Sequence, residues 1–223
     1  MNIAEAYAKG SVPFMGIELG VAPGALVPRS ETELLGRTAL ESLAAMRAAA
    51  PRVVDMCCGA GNLACGIAHH VSGARIWASD LTAECVELAR SNVKRLGLGA
   101  RVEVRQGDLF AALSGSALEG TVDAVVCNPP YISRNRLEGD RAHLLEREPR
   151  AAFDGGPYGL SVQQRVVNEA REFLRPGGVL LFEIGLGQER QMRQLFLRAG
   201  VYEEICMIAD EAGNPRVVSA RRK

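Results

Sequence analysis

The chain has 223 residues, 48% of them hydrophobic and 23% charged, enough to bury the core of one large globular domain. Its 26 Lys and Arg balance 26 Asp and Glu, so no global field favours a nucleic acid or an anionic membrane as partner. No apolar run reaches transmembrane length, the N-terminus lacks the pattern of a secretory signal, and the six cysteines fit neither regular pairing nor ligand spacing; free thiols, no metal site and a cytoplasmic location are the expectation.

The first 29 residues are rich in Gly and Pro. Ser30 followed by Glu33 has the form of a capping box, opening a helix to about Ala49. After Pro51 the pattern alternates. Val53–Met56 reads as a strand, Asn62 to about Val71 as a helix, Ile76–Ser79 as a strand and Thr82–Leu96 as a helix ending at Gly97. Val102–Arg105 is a strand, followed by a short helix and the strand Val122–Cys127. A charged stretch, Arg134 to Arg150, reads as an exposed excursion. A helix over Ser161–Leu174 stops at Arg175-Pro-Gly-Gly. Then come the strand Val179–Ile184, the helix Gln188–Arg198 and two strands, Glu203–Ile208 and Arg216–Ala220, joined by a short link. Such alternation implies an α/β fold: a Rossmann-like, doubly wound, seven-stranded and mostly parallel sheet with an antiparallel C-terminal strand. Residues 1–50 are expected to form an N-terminal segment and helix over the site, and residues 51–223 the main domain.

The strand ends carry the chemistry. The first leads into Asp55-Met-Cys57-Cys58-Gly59-Ala60-Gly61, where the glycines permit a tight turn and a close approach to a ligand at a helix N-terminus. A carboxylate at Asp55 repels a pyrophosphate and suits a cationic group. The next strand ends in Asp80-Leu81, and an acidic side chain there accepts hydrogen bonds from both ribose hydroxyls. The third is followed by Asp108-Leu109, a carboxylate suited to an adenine amino group and a side chain suited to its ring. Each carboxylate alone also fits a helix N-cap. Together they describe a site for an adenosine with a cationic amino-acid tail, which points to S-adenosylmethionine.

The apolar strand Val122–Cys127 runs into Asn128-Pro129-Pro130-Tyr131, and two consecutive prolines cannot continue a ladder. The turn presents an amide, a fixed carbonyl and an aromatic ring where open α/β sheets bind ligands. A plain strand-ending turn is the other reading.

These residues carry a resemblance. Asp55-x-x-x-Gly59-x-Gly61, Asp80, Asp108 and Asn128-Pro-Pro-Tyr131 are similar to the class I S-adenosylmethionine-dependent methyltransferases. Adding Leu26-Val-Pro-Arg-Ser-Glu-Thr-Glu33, Glu148-Pro-Arg-Ala-Ala-Phe-Asp-Gly-Gly156 with Gly159-Leu160, and Leu180-Leu-Phe-Glu-Ile-Gly185, the chain from about residue 14 onward resembles the HemK/PrmC type, the release-factor glutamine N5-methyltransferases. The resemblance departs from that family twice. Only a few residues precede Phe14, where the family has an N-terminal helical domain that helps dock the release factor, and Cys57-Cys58 stands where the family has Gly-Thr.

The resemblance implies N-methylation of a planar amide nitrogen, with a release-factor glutamine as acceptor, or a small molecule or another protein in its place. Nucleic-acid adenine methylation is disfavoured by the zero net charge, and a cofactor-binding subunit without turnover has no use for Asn128-Pro-Pro-Tyr131. Asn128 Oδ1 and the Pro129 carbonyl are suited to accept the two acceptor N–H groups, with Pro130 fixing the turn and Tyr131 packing on the plane. The resemblance also suggests Phe14 as an aromatic wall and Arg29, with Pro28, Glu31 and Thr32, as cover for the cofactor. A core role for Phe14 and a loop role for Arg29 stay open, as do pocket and strand-end roles for Glu183.

Overall fold

The computed structural model describes residues 3–223. A short helix α1 (Ile3–Lys9) and a hairpin of β1 (Ser11–Phe14) and β2 (Ile17–Gly20) precede a 3-10 turn, Ser30–Thr32, and α2 (Glu33–Met46). Then follow β3 (Arg52–Met56), α3 (Asn62–His70), β4 (Arg75–Asp80), α4 (Ala83–Arg95), β5 (Val102–Gln106), the 3-10 turn Leu109–Leu113 and β6 (Val122–Cys127). The remaining elements are α5 (Arg134–Glu138), α6 (Ser161–Phe173), β7 (Leu174–Glu183), α7 (Glu189–Ala199), β8 (Tyr202–Ala209) and β9 (Pro215–Arg222).

Seven strands form one sheet in the order β5-β4-β3-β6-β7-β9-β8. The first five are parallel, while β9 is antiparallel to both β7 and β8, so the expected architecture and the antiparallel last strand are present. Alternation along each strand explains the two layers of helices. Val53, Ala124 and Val126 pack in one core with α2, α3, α4 and the hairpin, and Val54, Val125 and Cys127 pack in the other with α6 and α7. β6 is buried along its whole length, as its apolar sequence requires. No helix among the described residues is long and apolar enough to cross a membrane.

The structure also departs from the sequence reading. The N-terminal segment, read from sequence only as rich in Gly and Pro, forms a helix and a hairpin, and tertiary contact holds the hairpin. Buried Asn92 of α4 accepts Gly20 N–H at 2.7 Å and donates to the carbonyls of Gly20 at 3.1 Å and Ala60 at 2.9 Å. The capping box does not form. Ser30 opens a 3-10 turn without a side-chain cap bond, and Glu33 instead accepts Met15 N–H at 2.9 Å, a tertiary bond that outcompetes the local one. The helix it opens ends at Met46, not Ala49, because Arg47 adopts a left-handed conformation at φ +54°.

The Arg134–Arg150 excursion is only partly exposed. It folds into α5 and 3-10 turns and returns so that Ile132 and Asp154 form a parallel bridge. Glu148 near its end has no side-chain exposure. It accepts Val27 N–H at 3.0 Å and pairs with Arg29, so the excursion is clasped to the N-terminal segment.

Candidate active site

The strand order reverses between β3 and β6, and a cleft of about 1060 Å³, solvent mouth included, opens there at the C-terminal strand ends. Its floor is the turn after β3. Cys57 and Gly59 take left-handed φ of +56° and +54°, and Gly61, at φ +75°, starts α3. A Cβ on Gly61 would lie 3.1 Å from the Ala89 Cβ, so α3 and α4 approach closely only because that residue is glycine.

Asp80 at the end of β4 faces this cleft. Its Oδ2 accepts Gly59 N–H at 2.9 Å and its Oδ1 accepts Thr82 N–H at 3.3 Å, which fixes the carboxylate and leaves further lone pairs on each oxygen. Leu81, Leu109 and Val162 add apolar wall. Asp108 also lines the cleft, but both its oxygens take Nη1 of Arg165 at 2.8 and 2.9 Å.

A second cavity of about 400 Å³, its open mouth included, adjoins the first. It is lined by Pro129, Tyr131, Phe153 and Glu183, and shares Leu26, Arg29, Asn128 and Ala152 with the first. Asn128 therefore faces both spaces. Behind it lies a polar cluster: Asn128 Nδ2 donates to Thr32 Oγ1 at 3.1 Å, and Thr32 Oγ1 donates to Glu183 Oε2 at 2.7 Å. Glu183 Oε1 also accepts Tyr131 O–H at 3.2 Å and Arg216 Nη2 at 3.3 Å. Burial pushes the Glu183 carboxyl up against the opposing pull of Thr32, Arg216 and Tyr131, and burial beside Glu183 pushes the Tyr131 phenol up to about 12. Gly159 braces the turn, since a Cβ there would meet the Tyr131 carbonyl oxygen at 2.4 Å.

The methyltransferase small domain family matches residues 36–157. A release factor glutamine methyltransferase of Moorella thermoacetica is 37% identical over 97% of this chain and 74% of its own. The chain belongs to the release factor glutamine methyltransferase family. A 4-amino-L-phenylalanine/4-methylamino-L-phenylalanine methyltransferase of Streptomyces pristinaespiralis is 40% identical over 86% of this chain and 64% of its own. Among solved structures, a methyltransferase from Pyrococcus furiosus superposes with a TM-score of 0.62 at 17% identity, covering 98% of this chain and 95% of that one. A ribosomal protein L11 methylase from Lactobacillus delbrueckii subsp. bulgaricus does so at 0.59 and 18%, over 90% and 82%. These two likenesses speak for the fold.

In this methyltransferase the residues singled out from sequence divide into three groups. Cys57, Cys58, Gly59, Asp80, Leu81, Asp108, Leu109 and Pro130 line the larger cleft, Pro129 and Tyr131 the smaller, and Arg29 and Asn128 both. Asp55, Ala60 and Gly61 line neither space. Asp55 is fully buried, its Oδ2 accepts Ala64 N–H at 2.9 Å, and burial pushes its carboxyl up to about 8. Asp55 Oδ2 thus anchors the N-terminus of α3, while its Oδ1 is buried without a hydrogen-bond partner among the described residues. Phe14 is the third case. It is 1% exposed in the core under the hairpin and lines neither cavity, so the core reading holds.

Arg165 and Arg216 escaped the sequence reading. Arg165 reads locally as the partner of Glu169 one helical turn on, a pair that does form at 3.0 Å. Arg216 sits in a terminal strand with no motif around it. Among the described residues, no cluster of His, Cys, Asp and Glu is arranged to hold a metal ion.

Proposed function

We propose that this methyltransferase transfers the methyl group of S-adenosylmethionine to the side-chain amide nitrogen of a glutamine in a peptide chain release factor, in the cytoplasm. The observation that carries the reading is the meeting of the larger cleft and the smaller cavity at Asn128. The donor set fits the cofactor. Asp80 has lone pairs for two ribose hydroxyls, Leu81, Leu109 and Val162 form walls for an adenine, and Asp108 keeps acceptor capacity at the rim.

S-adenosylmethionine supplies an already activated methyl group, so the protein's task is alignment. A carboxamide nitrogen is a poor nucleophile because its lone pair is delocalised. Asn128 Oδ1 and the Pro129 carbonyl accept the two N–H groups and hold the lone pair toward the larger cleft. Tyr131, fixed through its hydroxyl, covers the planar amide. Arg29, held by its pair with buried Glu148, lines the cleft from the clasped segments. No strong base is required, because the nitrogen becomes acidic on methylation. Residues 1–50 act as the cover and residues 51–223 as the transfer domain.

A second acceptor is favoured by the Streptomyces pristinaespiralis relative, whose named substrate is an aromatic amine. The same turn accepts from any planar NH2 group. Radiolabelled methyl transfer from S-adenosylmethionine, offered separately to purified release factor, to a small-molecule extract and to nucleic acid, decides between them. Label in release factor at a glutamine supports the main reading; label only in small molecules replaces it, and label only in nucleic acid sinks both.

A further inference from the structure

An asparagine side chain has two orientations that exchange a hydrogen-bond acceptor for a donor. If Asn128 turned its NH2 to the acceptor cavity, it would present hydrogens to hydrogens and repel the amide it is meant to hold. Something in the protein must choose the orientation. The cluster behind Asn128 contains the means.

Thr32 is 1% exposed and its hydroxyl carries a single hydrogen. That hydrogen is committed to Glu183 Oε2 at 2.7 Å, the shortest contact that cluster makes. Both Glu183 oxygens act as acceptors here, Oε2 from Thr32 and Oε1 from Tyr131 O–H and Arg216 Nη2, which sets the direction of this bond. Thr32 Oγ1 therefore offers only lone pairs to its other neighbour, and the group 3.1 Å away is Asn128 Nδ2. With its NH2 drawn to Thr32, Asn128 turns Oδ1 the opposite way. The carboxylate is held in turn by Arg216 Nη2 at 3.3 Å and Tyr131 O–H at 3.2 Å, and its side chain is only 5% exposed. Arg216 Nη2 also reaches the Tyr131 hydroxyl at 3.4 Å.

We infer that Thr32 and Glu183 are positioning residues that set the donor–acceptor polarity of Asn128 through a one-way chain, Asn128 to Thr32 to Glu183. The chain spans segments that are distant in sequence, so its members converge on the site and not on one local turn. The inference rests on the methyl-transfer reading above. Its structural part, the fixed orientation of an amide, is observable without turnover.

Two isosteric substitutions test it. Thr32→Val keeps shape and removes both bonds. Glu183→Gln supplies an NH2 that donates to Thr32 Oγ1, frees the hydroxyl hydrogen for Asn128 Oδ1 and so reverses the chain. Each is expected to lower kcat by roughly tenfold to a hundredfold, by analogy with the loss of an outer hydrogen-bond partner of a metal ligand, while calorimetric affinity for S-adenosylmethionine stays close to that of the parent. Thr32→Ser, which keeps the hydroxyl, restores most of the rate. The Asn128 side-chain amide protons, assigned by their disappearance from the nitrogen–proton spectrum of Asn128→Ala, exchange slowly in the parent and faster in Thr32→Val. Should Thr32→Val fail to fold, Glu183→Gln and Thr32→Ser carry the decision. A parental kcat in Glu183→Gln, an equal loss in Thr32→Ser and Thr32→Val, or unchanged amide exchange in a folded Thr32→Val overturns the chain. A parent enzyme without methyl transfer to any acceptor overturns the methyl-transfer reading instead, and the exchange measurement still judges the orientation.

Discussion

The polar groups of the cleft are held in two ways: on the β4 side Asp80 is fixed by nearby backbone, Gly59 N–H of the adjoining turn and Thr82 N–H two residues on. On the β6 side they are fixed by side chains from remote segments. Asn128 leans on Thr32, Thr32 on Glu183, and Glu183 on Tyr131 and Arg216. The first arrangement suits a ligand whose shape never varies, because strand ends and glycine turns are rigid and need few particular side chains. The second sets the direction of individual hydrogen bonds, which backbone alone cannot do for an amide with two orientations. Binding and alignment are thus carried by different parts of one cleft.

The largest expected effect falls on the alignment side. Asn128→Ala should cost about 2–4 kcal/mol of transition-state stabilisation, the range for loss of a preorganised polar group. Steady-state kcat with the true acceptor measures it, and a parental rate would reduce the turn to a strand terminator. On the binding side, Asp80→Ala should weaken S-adenosylmethionine by about 1.5–3 kcal/mol, the worth of a hydrogen bond to a charged group, seen as a higher Kd in calorimetry. An unchanged Kd there would erase the division between the two sides.

The clasp between the sides ranks next. Glu148→Ala leaves Val27 N–H and Arg29 without their partner and should cost about 1–3 kcal/mol of stability, read from the denaturant midpoint. Asp55 sharpens the binding side through pH. Its carboxyl, ordinarily near 3.8, is pushed up to about 8 by burial. The folded state therefore keeps a proton that the unfolded state releases, and this contribution to stability is full below about pH 4 and drains away as pH climbs toward 8. Asp55→Asn removes that drain, so its melting temperature should decline less between pH 5 and 8; a decline as steep as the parent's would contradict the shift. The smallest effect is expected at Cys57, a non-glycine residue at φ +56°. Cys57→Gly should stabilise by up to about 1 kcal/mol, since relief of the left-handed strain is offset in part by added freedom in the unfolded chain.

The same contrast accounts for what the sequence discloses. Asp80 and Gly59 are legible because strand, turn and helix follow one another along the chain, and the strand alternation that places them also yields the sheet and its antiparallel last strand. Asn128-Pro-Pro-Tyr131 is legible because two prolines directly after an apolar strand must end its ladder and fix a turn at the strand's C-terminal end. Phe14 and Asp55 show the limit: residue type and motif position do not say which way a side chain faces, and both turn inward. Ser30 and Glu33 show another, since a capping pattern loses to a tertiary bond with Met15. Arg216 and the use made of Glu183 are illegible because their meaning comes only from what the fold brings beside them.

The division between binding and alignment is tested most directly by single-turnover methyl transfer at increasing S-adenosylmethionine, with Asp80→Ala and Asn128→Ala run side by side on the true acceptor. The expected result is that Asp80→Ala climbs to nearly the parental rate once cofactor saturates, whereas Asn128→Ala levels off far below it at every concentration. Recovery of both variants, or a plateau equally low in both, would contradict the account.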